Sequence, residues 1–457
     1  MLSVKRKKSK QNFETDLTEG NVLLKLIVFI LPIMLSGVLQ QLYNAADTVV
    51  VGKFAGETAL AAVGTTPALT NLILNLFLGL SVGSNVICAR HFGAGNRDGL
   101  SRAVHTSVLL GLSSGILIGI FGIIFAPDLL ALMGTPEDVL KSATLYMRIF
   151  FIGTPFSLLY NFGAGVLRAV GDTKRPLYIL FASGIVNVGV NILCVVVFKM
   201  DVAGVALGTV VSQALSAVAI LFILMRTDSD YKFSPRLARF HAGELRGIIR
   251  IGIPAGLNGI MFSFSNVIIQ KAVNSFNDTT IIAGNTASAN IEVFFFLVVS
   301  ALEQGLVSFT GQNVGAGKHR RIDRAVFSAH VIAAVELAVM GITVYFARDF
   351  FLGLFTDSSD VIEIGTIKLT VVCVWYFVYI PNQICGGVLR GLGKSVTPTA
   401  INTLFICVVR IVWILVFYPM NPTLQMLYTA YPISWGLSSF SQLAAYLVER
   451  RKFKVRT

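Results

Sequence analysis

Charged residues are scarce in this chain of 457 residues. Asp, Glu, Lys and Arg make up 13% of it and apolar residues 54%, whereas soluble domains carry about 25% charged residues. This composition excludes a soluble enzyme and a disordered chain, because neither class combines so few charges with so many apolar side chains. It indicates a chain that lies in a lipid bilayer.

The motifs of common enzyme and metal-binding classes are also missing. The five cysteines form no CxxC pair and no cluster with histidine, so we expect no disulfide framework and no zinc or other transition-metal site. The histidines are scattered and no GxxxxGK[ST] loop is present, so we predict a protein that is not an enzyme and does not use ATP. The cysteines are Cys88, Cys194, Cys373, Cys385 and Cys407, and the histidines are His91, His105, His241, His319 and His330.

Long apolar runs are abundant. A helix needs roughly 20 residues to cross the hydrocarbon of a bilayer, and helices are expected because an open strand edge would leave backbone groups unpaired in lipid. The basic and polar segment before the first run contains no apolar stretch, so we interpret it as a retained tail and not as a cleaved signal peptide. The twelve runs lie at 24–52, 58–89, 103–126, 140–167, 176–198, 203–225, 248–275, 280–311, 325–347, 362–389, 398–418 and 427–448.

The basic residues divide unevenly between the two sets of loops that alternate along the chain. The set that includes both termini holds 29 of the 37 Lys and Arg residues, the other set holds 7, and Arg410 lies inside a run. An excess of Lys and Arg marks cytoplasmic loops, so we predict a multi-pass protein of the cell (inner) membrane with both termini in the cytoplasm. The net charge of +13 is thereby assigned to membrane orientation, and no nucleic-acid partner is expected.

The chain contains an internal repeat with a constant offset of 222 residues. The sequence GAG at 93–95 recurs at 315–317, and GVLR at 165–168 recurs at 387–390. An offset kept over so much of the chain indicates a duplication. Each copy holds six runs, so the second copy enters the membrane in the same orientation as the first, and the repeats are parallel.

We therefore predict an all-α integral membrane protein with twelve transmembrane helices in two parallel six-helix repeats, or lobes, around a central cleft. The N-terminal lobe is placed at 1–225, a cytoplasmic linker at 226–247, and the C-terminal lobe at 248–457. The linker is expected to span between the lobes with few contacts of its own. Such an arrangement suits alternating access, in which two lobes rock about a site near the midplane.

Asp47 is one of the few carboxylates within the apolar runs. A carboxylate at membrane depth costs about 3 kcal/mol on insertion scales and persists where it meets a cavity, a cation or a partner. Asn44 and Gln40 precede Asp47 by three and seven residues and share its helical face. We predict a cation site on this face; the alternative is a polar stripe that packs against a neighbouring helix.

Asn187 and Asn191 lie four residues apart in the fifth run and therefore stack on one helical face. Their amides are suited to hydrogen-bond a carboxylate that gains and loses a proton. We include both in the predicted cation site, with interhelical hydrogen bonding alone as the alternative. Thr209 in the sixth run is a further candidate for this cluster, although a structural role is favoured for it.

Glu292 and Glu303 lie eleven residues apart on one face of the eighth run and supply the second lobe with its own acidic face. Asp47 has no acidic counterpart there, because the residue 222 positions later is Ile269. Glu292 precedes the run Phe294–Phe296, and aromatic walls hold cations by cation–π contact. We predict that Glu292 recognises a cationic substrate or a second ion, with Glu303 as a second candidate.

Several stretches resemble the multidrug and toxic compound extrusion (MATE) family, and together they extend over essentially the whole chain. They are LPIMLSGVLQQLYNAADTVVVG, ARHFGAGNRDGLSRAV, GQNVGAGKHRRIDRAV, GVLRAVGDTKRPLYILFASGIVNVGVNI and DVAGVALGTVVSQ. The resemblance implies that Asp47 is the coupling-ion site and that Asn187 and Asn191 are its polar partners. Some members carry an acid at the position of Asn191 and a glutamate in the seventh span, where this chain offers Gln270, so the coupling ion stays open between H+ and Na+.

The resemblance further implies secondary active efflux of large cationic or polyaromatic compounds, driven by a gradient of H+ or Na+ and without a cofactor. The expected partners are these small molecules and the lipid bilayer, and a monomer is expected. The alternative within the same superfamily is a flippase for lipid-linked precursors, which would favour extra spans or a strongly basic central cavity for pyrophosphate. A membrane-embedded enzyme would need a clustered set of His, Cys or acidic residues in one lobe.

Overall fold

The structure is a computed structural model that describes residues 13–454, apart from the side chains of Glu57, Thr58, Leu60, Ala68, Phe453 and Lys454. Most of the predicted N-terminal tail, residues 1–12, lies outside this range. Helices make up nearly all of the described chain, and no strand occurs within residues 13–454. This agrees with the sequence, because an α-helix satisfies its backbone hydrogen bonds within one segment and so tolerates lipid.

The first half of the chain forms six long helices and one short one. Asn21 and Asn96 cap two of them, accepting hydrogen bonds from the amides of Leu24 at 3.2 Å and Gly99 at 2.9 Å, which satisfies donors that a helix start leaves free. The bounds are α1 Val22–Phe54, α2 Glu57–Thr65, α3 Pro67–Ala94, α4 Arg97–Leu132, α5 Glu137–Ala169, α6 Lys174–Ile192 and α7 Asp201–Arg226, with a π-helical turn at Leu193–Val197.

The second half is more interrupted. A 3-10 turn at Tyr376–Tyr379 joins α12 and α13 into one continuous span. A π-helical turn at Thr403–Val408 joins α14 to α15, and another at Trp413–Phe417 continues the same span after α15. The bounds are α8 Ala242–Asn274, α9 Thr279–Gly315, α10 His319–Phe346, α11 Arg348–Gly353, α12 Ser359–Trp375, α13 Ile380–Gly391, α14 Val396–Asn402, α15 Val409–Val412, α16 Leu424–Tyr428 and α17 Ala430–Lys454. Short 3-10 turns lie at Pro235–Leu237 and Tyr418–Met420.

The helices follow the repeat that the sequence predicts. Three helices of the second half begin 222 residues after their counterparts, and the π-helical turn that follows α6 has a counterpart in the turn that follows α15. The paired helix starts are Arg97 with His319, Glu137 with Ser359, and Lys174 with Val396. The predicted fold class, an all-α membrane protein built from two parallel repeats, is confirmed.

Eleven helical segments of the described chain are long and apolar enough to cross a membrane. They correspond to the first eleven predicted runs. The twelfth predicted run, 427–448, falls on α16 and α17, and α17 has 25 residues, which is about 37 Å of helix. This helix is long enough to cross but more polar than the others, because it contains four buried polar side chains and ends in a basic stretch, ERRKFK. The buried polar side chains are Ser434, Ser438, Ser439 and Gln442.

The hydrophobic core shows that α1 belongs to both halves. Its first part, including Leu26 and Phe29, packs in one buried cluster with α9, α10 and α13 of the second half. Its last part, including Val50 and Val51, packs with α5 in a cluster of the first half. The first helix therefore crosses from one lobe to the other, a feature that the lobe bounds in the sequence do not reveal.

The two halves meet in close contact where α3 and α9 end. We call this the basal end of the bundle, because α1 also begins there, at Val22. A Cβ atom on Gly93 would collide with the backbone carbonyl of Gln312, and one on Gly315 would collide with the carbonyl of Arg90. The Nη2 of Arg90 donates to the carbonyl of Gly391 at 3.3 Å, and the Nε2 of Gln312 donates to the carbonyl of Ala169 at 2.8 Å.

These contacts explain the repeated GAG sequence. In each copy the first glycine lets the two backbones cross. The last glycine of each copy, Gly95 and Gly317, has φ of 67° and 69°, the left-handed conformation that ends a helix and that glycine adopts without a steric penalty. Arg90 and Gln312 occupy equivalent positions, as do their acceptors Ala169 and Gly391, so the crossing has approximate twofold symmetry.

The N-terminal segment, residues 13–21, lies across this crossing and contacts both halves. The amide of Thr15 donates to the carbonyl of Gly171 at 3.1 Å, and the amide of Leu17 donates to Oε1 of Gln312 at 3.1 Å. Leu17 has no exposed surface, and its carbonyl accepts from Nη2 of Arg321 at 3.2 Å. The segment therefore ties the first half to the second.

The predicted linker, 226–247, makes more contacts than expected. Tyr231 is fully buried, the amide of Ser234 donates to Nε2 of His105 at 3.0 Å, and the amide of His241 donates to Oγ1 of Thr106 at 3.2 Å. The expectation of few contacts was wrong, because this segment packs along α4 of the first half before it enters α8.

We predict that Gly93→Ala and Gly315→Ala each destabilise the protein by about 1–3 kcal/mol, since the added methyl group meets backbone that cannot move aside. Thermal unfolding of the purified protein would measure the loss. Gly243→Ala is the matched control, because a Cβ at Gly243 has no atom within 4 Å. Equal unfolding temperatures for all three variants would contradict the close crossing.

Candidate functional site

A cavity of about 640 Å³ lies between the two halves. Its wall comes from α1, α3, α5, α6 and α7 of the first half, from α8 and α9 of the second, and from Arg390 near the end of α13. Amide and hydroxyl side chains are frequent in the wall, and a volume of this size is typical of pockets for drug-sized molecules. The polar members on the first half include Ser36, Asn75, Ser157, Asn161, Ser183 and Ser212.

The structure places Gln40, Asn44 and Asp47 along the cavity wall, on one face of α1. This is the arrangement that their spacing in the sequence predicts. Asp47 is half-buried, whereas Asn44 and Gln40 are exposed. Asn44 donates through Nδ2 to Oε1 of Gln41 at 3.3 Å, so it makes a local contact on its own helix.

Asp47 meets the fifth run as predicted from the sequence. Nδ2 of Asn191 donates to Oδ1 of Asp47 at 2.5 Å and lies 3.4 Å from Oδ1 of Asn187. Asn191 has no exposed surface, while Asn187 also lines the cavity. The two asparagines therefore connect the carboxylate to the interior of the first half.

Thr209 lines the same cavity from α7. Its hydroxyl donates to the carbonyl of Val205 at 3.2 Å, a bond within its own helix that leaves lone pairs of the oxygen available. Carboxylate, amide and hydroxyl oxygens are the ligands that hard cations take, and Asp47 alone is sufficient to carry a proton. The geometry thus suits either coupling ion.

The three candidates of the second half, Glu303, Gln270 and Glu292, lie in different places. Glu303 lines the cavity and forms an ion pair with Arg390. Gln270 is not among the lining residues; its Oε1 accepts from Nδ2 of Asn285 at 3.0 Å, and its Nε2 donates to Asn274 at 2.8 Å. The role predicted for Gln270 and Glu303 stays a prediction.

Glu292 faces the interior of the second half and is not among the lining residues of the cavity. Its carboxylate lies 3.1 Å from Nζ of Lys368, whose side chain is only 5% exposed. Another basic residue of the second half, Arg410, has partners of its own. Its guanidinium lies 4.6 Å from the ring centre of Tyr431 and donates to Oγ of Ser434 at 2.9 Å. A carboxylate that is already paired with a lysine has little left to offer a cationic substrate, although this role for Glu292 stays a prediction.

Sequence reasoning missed the basic residues of the site. It assigned Lys368 to a loop, which was wrong because Lys368 lies buried within α12. It counted Arg168 and Arg390 only as residues that orient the chain, yet both line the cavity. The repeated GVLR was the available signal, since a loop residue that only sets orientation has no reason to keep the same place beside the same helix end.

We predict that Glu292→Gln lowers the stability of the protein by about 3 kcal/mol, because it leaves the buried Lys368 without its carboxylate. The double variant Glu292→Gln/Lys368→Gln should recover part of this loss. Thermal unfolding in detergent would measure both effects. The exposed pair Asp230 and Arg97 supplies the control, since Asp230→Asn should cost less than about 1 kcal/mol. A fully stable Glu292→Gln variant would contradict a structural role of the pair.

The comparisons with known proteins agree with this architecture. The family model MatE matches the chain twice, at residues 32–193 and 254–416, so each half carries one copy. A curated relative, "Probable multidrug resistance protein YpnP" of Bacillus subtilis, is 28% identical over 438 residues, which are 95% of this chain and 96% of that protein. "Multidrug export protein MepA" of Staphylococcus aureus (strain bovine RF122 / ET3-1) is 23% identical over 92% of both chains.

Solved structures show the same fold. One, described as the outward-facing conformation of a multidrug resistance MATE family transporter of the MOP superfamily, matches with a TM-score of 0.91 and 20% identity over 98% of this chain and 100% of that chain. Another, of MATE in the straight conformation, matches with a TM-score of 0.90 and 20% identity over 96% and 98%. Because the family model covers well over half of the sequence in two copies, the chain belongs to the MatE family of multidrug and toxic compound extrusion proteins.

Proposed function

We propose that this protein exports cationic or polyaromatic compounds through the central cavity in exchange for H+ or Na+. The relatives YpnP and MepA, named as multidrug resistance and multidrug export proteins, support the substrate class. The volume and polar wall of the cavity support a single small molecule as its occupant. No cofactor takes part, and energy comes from the ion gradient.

The observation that carries the proposal is the carboxylate of Asp47, which lines the cavity and is held by Asn191. An ion or a proton on Asp47 neutralises the carboxylate that the described residues of the first half present to the cavity. A cationic substrate would be attracted to the same charge, so the coupling ion and the substrate compete for it. Competition of this kind, combined with alternating access of the shared site to the two sides, exchanges one for the other across a membrane.

Alternating access requires that the cavity open to one side at a time. In the structure the basal end is held shut by the crossing of α3 and α9 and by the N-terminal segment. We propose that the basal end faces the cytoplasm, as the distribution of basic residues indicates, with both termini on that side of the cell membrane. Rocking of the two lobes of a monomer about the cavity would then open the basal end.

The test is transport into or out of liposomes that contain the purified full-length protein. A proton gradient and a sodium gradient are imposed separately while the movement of a cationic dye is followed. We expect transport under one of the two gradients and at most about a tenth of that rate for Asp47→Asn, because this change keeps the shape of the side chain and removes its charge. Asp360→Asn, in an exposed position of α12, is the control and should transport normally.

Two results would overturn the proposal. Absence of transport under both gradients would exclude antiport of this dye class. Wild-type rates for Asp47→Asn would show that another residue carries the coupling ion. The unfolding temperature of the variant, measured beside the wild type, separates a loss of function from a loss of folding.

A flippase for lipid-linked precursors is the second candidate, favoured by the two arginines in the cavity wall. A pyrophosphate needs several cations, and Glu303 neutralises one of the two, Arg390. Antiport of small molecules therefore agrees better with the charges of the cavity. Gradient-independent movement of a labelled lipid pyrophosphate across the liposome bilayer would favour the flippase.

A further inference from the structure

The charged groups of the cavity lie at its two ends. On α1 the lining residues extend from Ile33 to Asp47, away from the basal end where that helix begins. On α5, which runs in the opposite direction, Arg168 lies in the last turn and therefore at the basal end. The cavity thus presents a carboxylate at one end and a guanidinium at the other.

The internal repeat supplies a comparison for Arg168. Its counterpart 222 residues later is Arg390, which also lines the cavity and is paired with Glu303. The counterpart of Glu303 in the first half is Ser81, which lines the cavity as well. The two copies thus share the arginine and differ in the residue that faces it.

The same packing surrounds both positions. A Cβ atom on Gly165 would lie 3.1 Å from the carbonyl oxygen of Ser81, and one on Gly387 would lie 2.8 Å from the carbonyl oxygen of Glu303. The helices therefore approach each other alike in the two halves, and the neutral serine hydroxyl does not replace the charge of the glutamate. Within the described residues no carboxylate forms an ion pair with Arg168.

We propose that Arg168 binds an anionic group of the transported molecule, so that the cavity favours amphipathic zwitterions over simple cations. Their cationic centre would lie toward Asp47 and their carboxylate or phosphate toward Arg168. This inference rests on the proposed export through the same cavity and specifies its substrates. A guanidinium suits the role, because it pairs with carboxylate and phosphate through two parallel hydrogen bonds and keeps its charge at all physiological pH values.

Membrane orientation alone does not account for this arginine. A basic residue in the last turn of a helix is favoured by the helix dipole and by the cytoplasmic excess of positive charge. Both effects act equally well on a side chain that points to lipid headgroups or to bulk water. The position of Arg168 in the wall of an internal cavity is what indicates a ligand.

The experiment compares two dyes that differ in one charge: a rhodamine methyl ester, which is a cation, and the corresponding free acid, which is a zwitterion. Binding to the purified full-length protein is followed by fluorescence anisotropy, with no ion gradient. We expect the wild type to bind the acid more tightly than the ester. The ratio of the two affinities should fall roughly tenfold in Arg168→Gln, as expected for the loss of a charge-assisted hydrogen bond.

Further variants test the comparison between the repeats and supply controls. Ser81→Glu gives Arg168 the partner that Arg390 already has, and it should lower the ratio as Arg168→Gln does although the arginine is intact. Glu303→Gln releases Arg390 and should raise the ratio. Arg168→Lys keeps the charge and should retain part of the preference. Arg226→Gln, at the end of α7 and outside the cavity wall, should leave the ratio unchanged.

An unchanged ratio in both Arg168→Gln and Ser81→Glu would overturn the inference, as would a wild-type protein that binds the ester at least as tightly as the acid. Arg168→Gln shortens a side chain and Ser81→Glu lengthens one, so the two variants would disturb the packing in different ways. A change in the ratio that both share is therefore not explained by one folding defect. The readout is separate from transport. Failure of gradient-driven transport would overturn the proposed antiport, whereas a lost preference for the acid would overturn only the role of Arg168.

Discussion

The crossing of α3 and α9 at their basal ends, together with the packing of α3 along α8, fixes the arrangement of the two halves. It works because Gly93 and Gly315 lack a Cβ atom, so that each helix rests directly on a backbone carbonyl of the other. Backbone in direct contact has little freedom to slide, and the side chains of Arg90 and Gln312 reach across to carbonyls of the opposite half. The cavity lies beyond this crossing, where residues 75–82 of α3 and 296–307 of α9 line it.

The duplication provides one backbone framework with two different distributions of charge. The first half presents Asp47 and Arg168 to the cavity without pairing them, and amides surround the carboxylate. The second half pairs its charges: Glu303 with Arg390, and Glu292 with Lys368. Paired charges in a medium of low dielectric hold helices together and cost much to separate, whereas charges that face a cavity remain available to ligands. On this argument the first half would supply the charges that bind ligands, and the paired charges of the second half would stabilise the bundle.

The helix α1 connects these two roles. Its first part packs in the core of the second half, and its last part in a core of the first half, while the face between them carries Gln40, Asn44 and Asp47 into the cavity. Any relative motion of the halves must therefore act on this helix. The proposed occupation of Asp47 by an ion or a substrate would in this way be mechanically linked to the position of the lobes.

The sequence by itself determined the membrane class, the count and parallel order of the repeats, and the face of α1 that holds Asp47. These features depend on apolar length, on the constant offset and on helical periodicity, which are local or additive properties. The sequence predicts that Asp47 has a polar partner, because a buried carboxylate requires one. The hydrogen bond with Asn191 itself follows from how α1 and α6 pack.

Only the tertiary structure decided which charges neutralise each other. Lys368 falls within a predicted run, but its pairing with Glu292 became known only from the contact between them. The repeated GVLR marks Arg168 without showing that this side chain lines the cavity. The contacts of Leu17 with residues nearly three hundred positions away were equally inaccessible. Pairing depends on distances between helices that are remote in the chain, and neither composition nor periodicity contains those distances.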